Sequence, residues 1–391
     1  MKVLLITNMF PPVFLGGYEI GASWVCEELL AQGHEVLLWT AEQAVDANED
    51  QCRILRHSNP LPTKSLPAGS CFFGINVLDG VLRGDAGPRF PEVRQLIREQ
   101  IRDYPTKRAE RKKQIEKFNP DLVLIFNPAC LLDPVFAELR EIRILQGCPT
   151  MQLVSDDWPI KWNRSHPFVY FRDFWEDTKC HGIHHSSEVN QLLVELAREC
   201  EKAGLFRFVE SPDYDRAAYT SNFLRKKCSP EFISGIPEAV IHWGLPDIMS
   251  SPMVNPDRFE SEPTLRLLYC GQIRPHKGLI RLLRALKQTK SPHRLTVIGD
   301  DQNDYAEFCR RFVEESGLTE RVVFTGKLPP AEVKQRLAND GEVFLLPSLH
   351  GGFENFEEPF SIVLLQAMTA GLAVAASPTG GSPEAFVESE S

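Results

Sequence analysis

The stretch KVLLITNMFPPVFLGGYEIGASWVCEELLAQGHEVLLWT, residues 2–40, carries the pattern from which the fold is predicted. KVLLIT and HEVLLWT are apolar runs typical of strands that are buried on both faces. Between them lie a loop that ends in two glycines and a helical pattern from Tyr18 to Gln32, which Gly33 ends. Strand, glycine turn, helix and strand in this order predict a β-α-β unit of a doubly wound α/β fold.

The same alternation continues along the chain and predicts two domains. Apolar runs recur at 121–126, 150–155 and 239–244, and again after residue 264, with helical patterns between them. A proline-rich stretch without periodicity separates the two series. We therefore predict an N-terminal Rossmann-like domain at 1–250, a linker at 251–263 and a C-terminal Rossmann-like domain at 264–391. Two such domains place a ligand cleft between them, at the carboxyl ends of both sheets.

Composition narrows the class of protein. The chain has 391 residues, a formal net charge of -10 and 43% hydrophobic residues, values that suit a globular enzyme and disfavour bulk binding of nucleic acid. Its ten cysteines are scattered without a C-x-x-C pair, which favours reduced thiols in a cytoplasm over disulfides or a zinc ribbon. No apolar run reaches the roughly 18 residues that span a membrane. We expect a cytoplasmic protein.

Two loops at predicted strand ends have groups suited to an anion. Gly16 and Gly17 open a helix, so backbone N–H groups could approach a phosphate there, although a glycine pair is often only a turn. In LLYCGQIRPHKGL, residues 267–279, a strand end is followed by Arg274, His276 and Lys277. Cations at this position suit a diphosphate, and a solvated charged loop is the alternative.

A third loop is acidic. In LLPSLHGGFENFEEPFSIVLLQAM, residues 345–368, a strand leads into a glycine-rich loop and a helix expected to begin near Pro359, since proline is favoured in the first helical position. Glu358 would then lie where the helix dipole stabilises a carboxylate, with or without a ligand. Gln366 lies two turns further on, and the simpler interpretation of its side chain is an exposed or capping amide. After this helix, AVAAS, residues 373–377, is another predicted buried strand, and PTGGSPEAF follows it with two glycines. With the loop at 267–279, this makes three such loops in the second domain, and their convergence on one edge favours a nucleotide-type ligand.

These motifs, in this order and spacing, resemble family-4 retaining glycosyltransferases of the GT-B fold. The resemblance covers nearly the whole chain, and its last third is the most specific. It rests on GGYE, YTSNFLRKK (219–227), IHWGLPD (241–247), GQIRPHKG, VIGD, VVFTG, LLPS, EEPFSIVLLQAM and SPTGGSPE. The fold that it implies is GT-B, with two doubly wound Rossmann-like domains facing each other across a cleft.

The resemblance implies transfer of a sugar from a nucleotide-diphosphate donor to an acceptor hydroxyl, with retained configuration and no required metal or other cofactor. Lys277 would bind the diphosphate, Glu358 the donor sugar, and the loop of Gly16 and Gly17 would face both donor and acceptor. Catalytic residues are then Glu358, Lys277 and Asp157. Donor-binding residues are Gly16, Gly17, Gln272, Arg274, Lys277, Glu358, Pro359, Phe360, Ser361 and Gln366.

The sequence departs from the family pattern in three places. Gln272 stands where the family often has arginine, so Arg274 could serve the phosphate instead. Gln366 replaces the second acid of the family's E-x7-E signature, where an amide can still bond the nucleotide ribose. The family continues beyond GG-x-PE, whereas this sequence stops at Ser391, so we expect an incomplete second domain. These departures motivate an alternative, a donor-binding but inactive module; a GT-B nucleotide-sugar epimerase is a further one.

The acceptor side is less well marked. Asp156, Asp157 and Trp158 stand where the family places groups near the acceptor, in an aromatic segment that could contact a sugar or a lipid tail or simply pack a helical subdomain. The histidines of HGIHHSSE, residues 181–188, have helical spacing but lack metal-ligand partners nearby, so no metal is predicted. We expect a sugar, lipid-linked or small-molecule acceptor, in polysaccharide, glycolipid or glycoconjugate synthesis.

A basic run offers one further surface. Residues 98–117 hold eight Lys or Arg against four acids. Such a run could contact an anionic membrane peripherally, at its inner face, while a solvated helix face is the simpler alternative.

Overall fold

The structure is a computed structural model that describes residues 1–7, 10–11, 17–41, 53–58, 108–126, 147–154, 215–232, 235–246, 263–302, 304–349 and 357–386, with a few single positions between 102 and 202. The described chain divides into two compact units, Met1–Ile241 and His242–Ser391. Apart from Pro263, the predicted linker at 251–263 lies outside the described residues, so its bounds remain a prediction.

The first unit is built on a seven-stranded parallel sheet with the order β3-β2-β1-β4-β5-β6-β7. Inside the sheet, between β2 and β4, lies β1, whose Val3 to Ile6 are fully buried, as the apolar run predicts. The strands are β1 Lys2–Ile6, β2 Glu35–Ala41, β3 Arg53–Ser58, β4 Leu122–Ile125, β5 Thr150–Val154, β6 Arg216–Tyr219 and β7 Glu238–Val240; the labelled helices are α1 Gly17–Ala31 and α2 Asn222–Phe232.

The second unit repeats the plan with a five-stranded parallel sheet in the order β10-β9-β8-β11-β12. Its core forms where the apolar stripe of α3, at Leu279, Ile280, Leu283 and Leu286, packs against the sheet. The strands are β8 Leu265–Cys270, β9 His293–Ile298, β10 Val322–Gly326, β11 Val343–Leu346 and β12 Ala373–Ala376; the helices are α3 Leu279–Gln288, α4 Asp304–Glu315, α5 Pro330–Asn339 and α6 Ile362–Thr369, with 3-10 turns at Pro275–Lys277 and Ser382–Ala385.

Both sheets have the doubly wound strand order, so the predicted α/β class with two Rossmann-like units is confirmed. In the second unit, β8 and β11 are neighbours although β9 and β10 lie between them in sequence. The chain therefore winds outward from β8 in one direction and from β11 in the other. The carboxyl ends of these two strands form a topological switch point, which is where open α/β sheets bind ligands.

Three predictions about elements need correction. The run 239–244 forms a strand only to Val240, because its partner strand β6 ends at Tyr219. The last hydrogen bond between the two strands is donated by Ile241 N to Tyr219 O, at 2.8 Å. Strands β3 and β6 were not predicted, since arginines interrupt both. The third correction concerns the start of α6 and is given with the site.

Part of the basic run at 98–117 is buried. The Arg111 side chain is fully buried and donates hydrogen bonds of 2.9 and 2.7 Å to the carboxylate of Glu138. Its guanidinium also lies over the Trp39 ring, 4.7 Å from the centroid. The prediction of a solvated or membrane-facing surface is therefore wrong for Arg111, because its side chain forms a buried ion pair with Glu138.

Candidate functional site

The first side of the site is the turn that follows β8. Tyr269 donates a hydrogen bond to Gln272 O at 2.8 Å, which holds the loop against its own strand. A 3-10 turn then carries Lys277 to Gly278, whose φ of 73° is left-handed. A Cβ at Gly278 would lie 1.9 Å from Pro347 O, so only glycine permits this approach to the chain beyond β11. Lys277 is therefore held close to the end of β11.

The second side comes from the chain after β11. Leu349 N donates to His276 O at 2.9 Å, which joins the two loops. Glu358 follows in an extended segment and is 5% exposed. Its carbonyl accepts from Gly381 N at 2.8 Å, and a Cβ at Gly380 would lie 2.1 Å from that same oxygen. The glycine pair after β12 thus presses directly on the backbone of Glu358.

The two sides meet in an ion pair. Lys277 Nζ lies 2.7 Å from Glu358 Oε2, across a sequence separation of 81 residues. Ser348 Oγ donates to the same oxygen at 2.9 Å. Both charged side chains are largely shielded, with 18% and 7% of their surfaces exposed. A cation and an anion are thus fixed together at the switch point of the sheet, where they can bind opposite parts of one ligand.

Phe360 follows Glu358 by two residues in the same segment. It is buried, and the ring of His242 stacks on it at a centroid distance of 5.2 Å. His242 Nε2 lies 2.9 Å from Glu384 Oε2, on the 3-10 turn after the glycine pair. The residue that begins the second unit is thereby fastened to two elements of the site.

The helix predicted near Pro359 begins instead at Ile362, so that prediction is wrong. Ser361, at the N-cap, is extended with φ -89° and ψ 111°. The reason is tertiary: the bond from Gly381 N to Glu358 O holds the preceding residues in an extended conformation. Glu358 consequently lies beyond the first turn, where the helix dipole acts weakly, and Lys277 and Ser348 stabilise its carboxylate instead.

The other predicted donor residues fall into two groups. Gln272 and Arg274 lie half-buried in the loop after β8, and Pro359 and Ser361 flank Phe360 in the extended segment. Gln366 is the fifth residue of α6 and is half-buried. Among the described residues its side chain has no hydrogen-bond partner, which leaves the amide available to a ligand.

The structure does not test the predicted acceptor side. Gly17 is the first residue of α1, the helix that follows β1 along the chain. Gly16, Asp156, Asp157 and Trp158, like the histidine run 181–188, lie outside the described residues. Within the described part of the chain, no group of three His, Cys, Asp or Glu side chains could hold a metal ion. No helix there is long and apolar enough to cross a membrane.

Sequence reasoning missed Ser348, Gly278 and Gly380 as parts of the site. Ser348 directly follows the apolar run of β11, so its place at a strand end was visible, but its partner ten residues later was not. Gly278 and Gly380 lie inside motifs that the sequence singles out, but the backbone atoms that they approach belong to Pro347 and Glu358, which are distant in sequence.

The two doubly wound units have the GT-B fold. Sucrose-phosphate synthase from Thermosynechococcus elongatus superposes on 99% of this chain and 83% of its own with a TM-score of 0.63 and 16% identity. HepE from Anabaena, in complex with UDP and glucose, gives a TM-score of 0.58 with 16% identity over 99% of this chain and 83% of its own. At such identities the likeness concerns the fold.

Sequence similarity is found in the second half of the chain. Residues 255–391, which contain Lys277, Ser348 and Glu358, match the family described as glycosyl transferases group 1. A GDP-mannose-dependent alpha-(1-6)-phosphatidylinositol monomannoside mannosyltransferase from Mycolicibacterium smegmatis is 29% identical over 193 residues, 45% of this chain and 47% of that protein. The match thus spans about half of the length of this curated relative.

Proposed function

We propose that this protein is a retaining glycosyltransferase that moves a sugar from a nucleotide-diphosphate sugar to an acceptor hydroxyl. The observation that carries the proposal is the ion pair of Lys277 and Glu358 at the switch point, inside the residues that match the family. In a nucleotide sugar, the diphosphate and the sugar ring adjoin the bond that breaks. The Lys277 ammonium and the Glu358 carboxylate are held 2.7 Å apart, so the cation suits the diphosphate and the carboxylate suits the adjoining sugar ring.

The chemistry follows from where charge develops. Departure of the nucleoside diphosphate concentrates negative charge on its outer phosphate, and the Lys277 ammonium would stabilise that charge as it forms. The leaving phosphate can then take the acceptor's proton on the same face of the sugar, which retains configuration without a separate base. Because lysine supplies the cation, no metal is required in this mechanism.

Glu358 would bind the donor sugar. Its carboxylate is an acceptor-only group, so it selects sugar hydroxyls, and its burial strengthens each bond that it accepts. Arg274 and Gln272 are proposed to support the phosphates, and Gln366 to bond the ribose as an amide in place of the family's acid. Pro359, Phe360 and Ser361 shape the segment that presents Glu358.

The acceptor and the cellular setting are also proposals. Asp156, Asp157 and Trp158, with the loop of Gly16 and Gly17, remain predicted to receive the acceptor. The mannosyltransferase relative named above acts on a phosphatidylinositol mannoside, which favours a lipid-linked or sugar acceptor in glycolipid or polysaccharide synthesis. A peripheral contact with the inner face of a membrane would suit such an acceptor.

Calorimetry with UDP-, GDP- and ADP-sugars tests donor binding, and product formation in a cell extract tests transfer. We expect Lys277→Ala to weaken donor binding and transfer, and Glu358→Ala to abolish transfer while leaving the free nucleoside diphosphate bound. Lys290→Ala and Glu320→Ala are matched controls, because both residues are exposed and lie away from the site. Failure of the wild-type protein to bind any nucleotide sugar, or full activity of Glu358→Ala, would refute the proposal.

A further inference from the structure

Two donors share one oxygen of Glu358. Lys277 Nζ at 2.7 Å and Ser348 Oγ at 2.9 Å both bond Oε2. Among the described residues, Oε1 accepts no hydrogen bond. The carboxylate therefore presents one oxygen that the protein holds and one that a ligand hydroxyl can use.

The two donors differ in what a donor substrate would do to them. Lys277 has a flexible side chain and a full charge, so a diphosphate competes for it directly. Ser348 is 2% exposed and uncharged, so a diphosphate attracts it less than it attracts the lysine ammonium. Its backbone is held by the adjoining strand β11 and by the bond from Leu349 N to His276 O at 2.9 Å. Ser348 therefore stays in place when Lys277 turns to the phosphates.

Loss of Lys277 alone would leave a buried carboxylate without its charged partner. A buried carboxylate with no hydrogen bond is costly and reorients toward any donor within reach. The bond from Ser348 prevents this, because it keeps Oε2 satisfied and the carboxylate plane fixed. Oε1 is then aimed at the sugar while the lysine serves the diphosphate.

We propose that Ser348 is a positioning residue, which holds Glu358 during the exchange of Lys277 from carboxylate to diphosphate. The proposal rests on the proposed function, because it assigns a role within the same donor site. It makes a distinctive prediction: removing the hydroxyl weakens binding of the sugar part of the donor and not of the nucleoside diphosphate.

The test compares Ser348→Ala with Thr40→Val. Thr40, in β2, is 1% exposed, and its hydroxyl has no hydrogen-bond partner in the described part of the chain, so this control removes an equally buried but unbonded oxygen away from the donor site. For Ser348→Ala we expect the Kd of the nucleotide sugar to rise and its kcat/KM to fall roughly 10- to 100-fold, as for loss of a bond to a charged group. The Kd of the free nucleoside diphosphate should stay within about twofold, and Thr40→Val should match wild type.

Several results overturn the inference. Equal weakening of diphosphate and nucleotide-sugar binding would mean a structural role, and identical behaviour of Ser348→Ala and Thr40→Val would mean no role. In both cases a wild-type protein that binds and transfers sugar leaves the proposed function intact. If Ser348→Ala does not fold, Ser348→Thr and Ser348→Val replace it, since they have the same shape and differ in the hydroxyl. Only the threonine variant should then keep the wild-type Kd for the nucleotide sugar, while both variants keep the wild-type Kd for the nucleoside diphosphate.

Discussion

Substitution of Gly380 by alanine should disable the site through a contact that can be measured from the structure. The new Cβ would lie 2.1 Å from Glu358 O, 2.9 Å from its carbonyl carbon and 3.0 Å from its nitrogen. All three are backbone atoms, so no side chain can move aside. Reaching an ordinary contact of about 3.5 Å requires a shift of roughly 1 Å in the loop or in Glu358. That shift would break the bond from Gly381 N to Glu358 O.

The substitution is expected to lower both the free energy of unfolding and the activity. A φ of +59° strains any residue with a Cβ by about 1–2 kcal/mol, and the clash adds about 1–3 kcal/mol as in other overpacked sites. A displacement of about 1 Å at the carboxylate should lower kcat/KM for the donor by roughly 100-fold. Urea unfolding measures the first effect, and donor consumption measures the second.

Gly317→Ala is the matched control. Gly317 has a φ of +65°, and a Cβ there would meet nothing within 4 Å among the described residues. It shares the backbone strain and lacks the clash. We expect it to lose about 1–2 kcal/mol of stability and no activity. Equal stability losses in both variants, with activity kept in Gly380→Ala, would refute the reasoning.

Two further predictions concern buried groups. Burial raises the pKa of Cys270 and Cys309 to about 12, so the folded chain keeps two protons that the unfolded chain releases near pH 9. The free energy of unfolding should therefore hold up to about pH 9 and then fall by about 1.4 kcal/mol per pH unit for each thiol, as urea midpoints would record. Separately, Glu138→Ala should lower the free energy of unfolding by about 3–5 kcal/mol, because Arg111 remains buried without its carboxylate.

Each of these has its own control. Cys270→Ser with Cys309→Ala should flatten the decline above pH 9, and a decline of unchanged slope would contradict the assignment to these thiols. Replacing both partners of the ion pair, as Arg111→Met with Glu138→Leu, should recover most of the loss. A loss below about 1 kcal/mol in Glu138→Ala would mean that the pair contributes no more than an exposed one.

The fold was largely predictable because its signals are local. Helix Leu279–Gln288 is one of the helical patterns expected after residue 264, since buried leucines recur there at helical spacing and Gly278 precedes them. The interior strands β1 and β11 are apolar runs, as expected of strands covered on both faces. The resemblance between motifs then located Lys277 and Glu358, which the structure brings together.

The errors share a physical cause, which is contact between residues far apart in sequence. Pro359 has the local preference for a first helical position, but the bond between Glu358 and Gly381 keeps that segment extended. Arg111 lies in a basic run, yet Glu138, 27 residues away, makes it a core residue. No spacing rule specifies such partners, because they depend on how the strands are ordered in the sheet.

The strand order that makes β8 and β11 neighbours also decides when the charge pair can form. Lys277 and Glu358 are 81 residues apart, and β9, β10 and the helices around them must be placed before the chain returns to the centre of the sheet. Closing a loop of this length costs on the order of 4 kcal/mol of chain entropy, which only the finished sheet offsets. A chain that lacks β11 can therefore have the Rossmann-like beginning of the second unit without this charge pair. The pair of Lys277 and Glu358 thus forms only when β8 and β11 lie side by side.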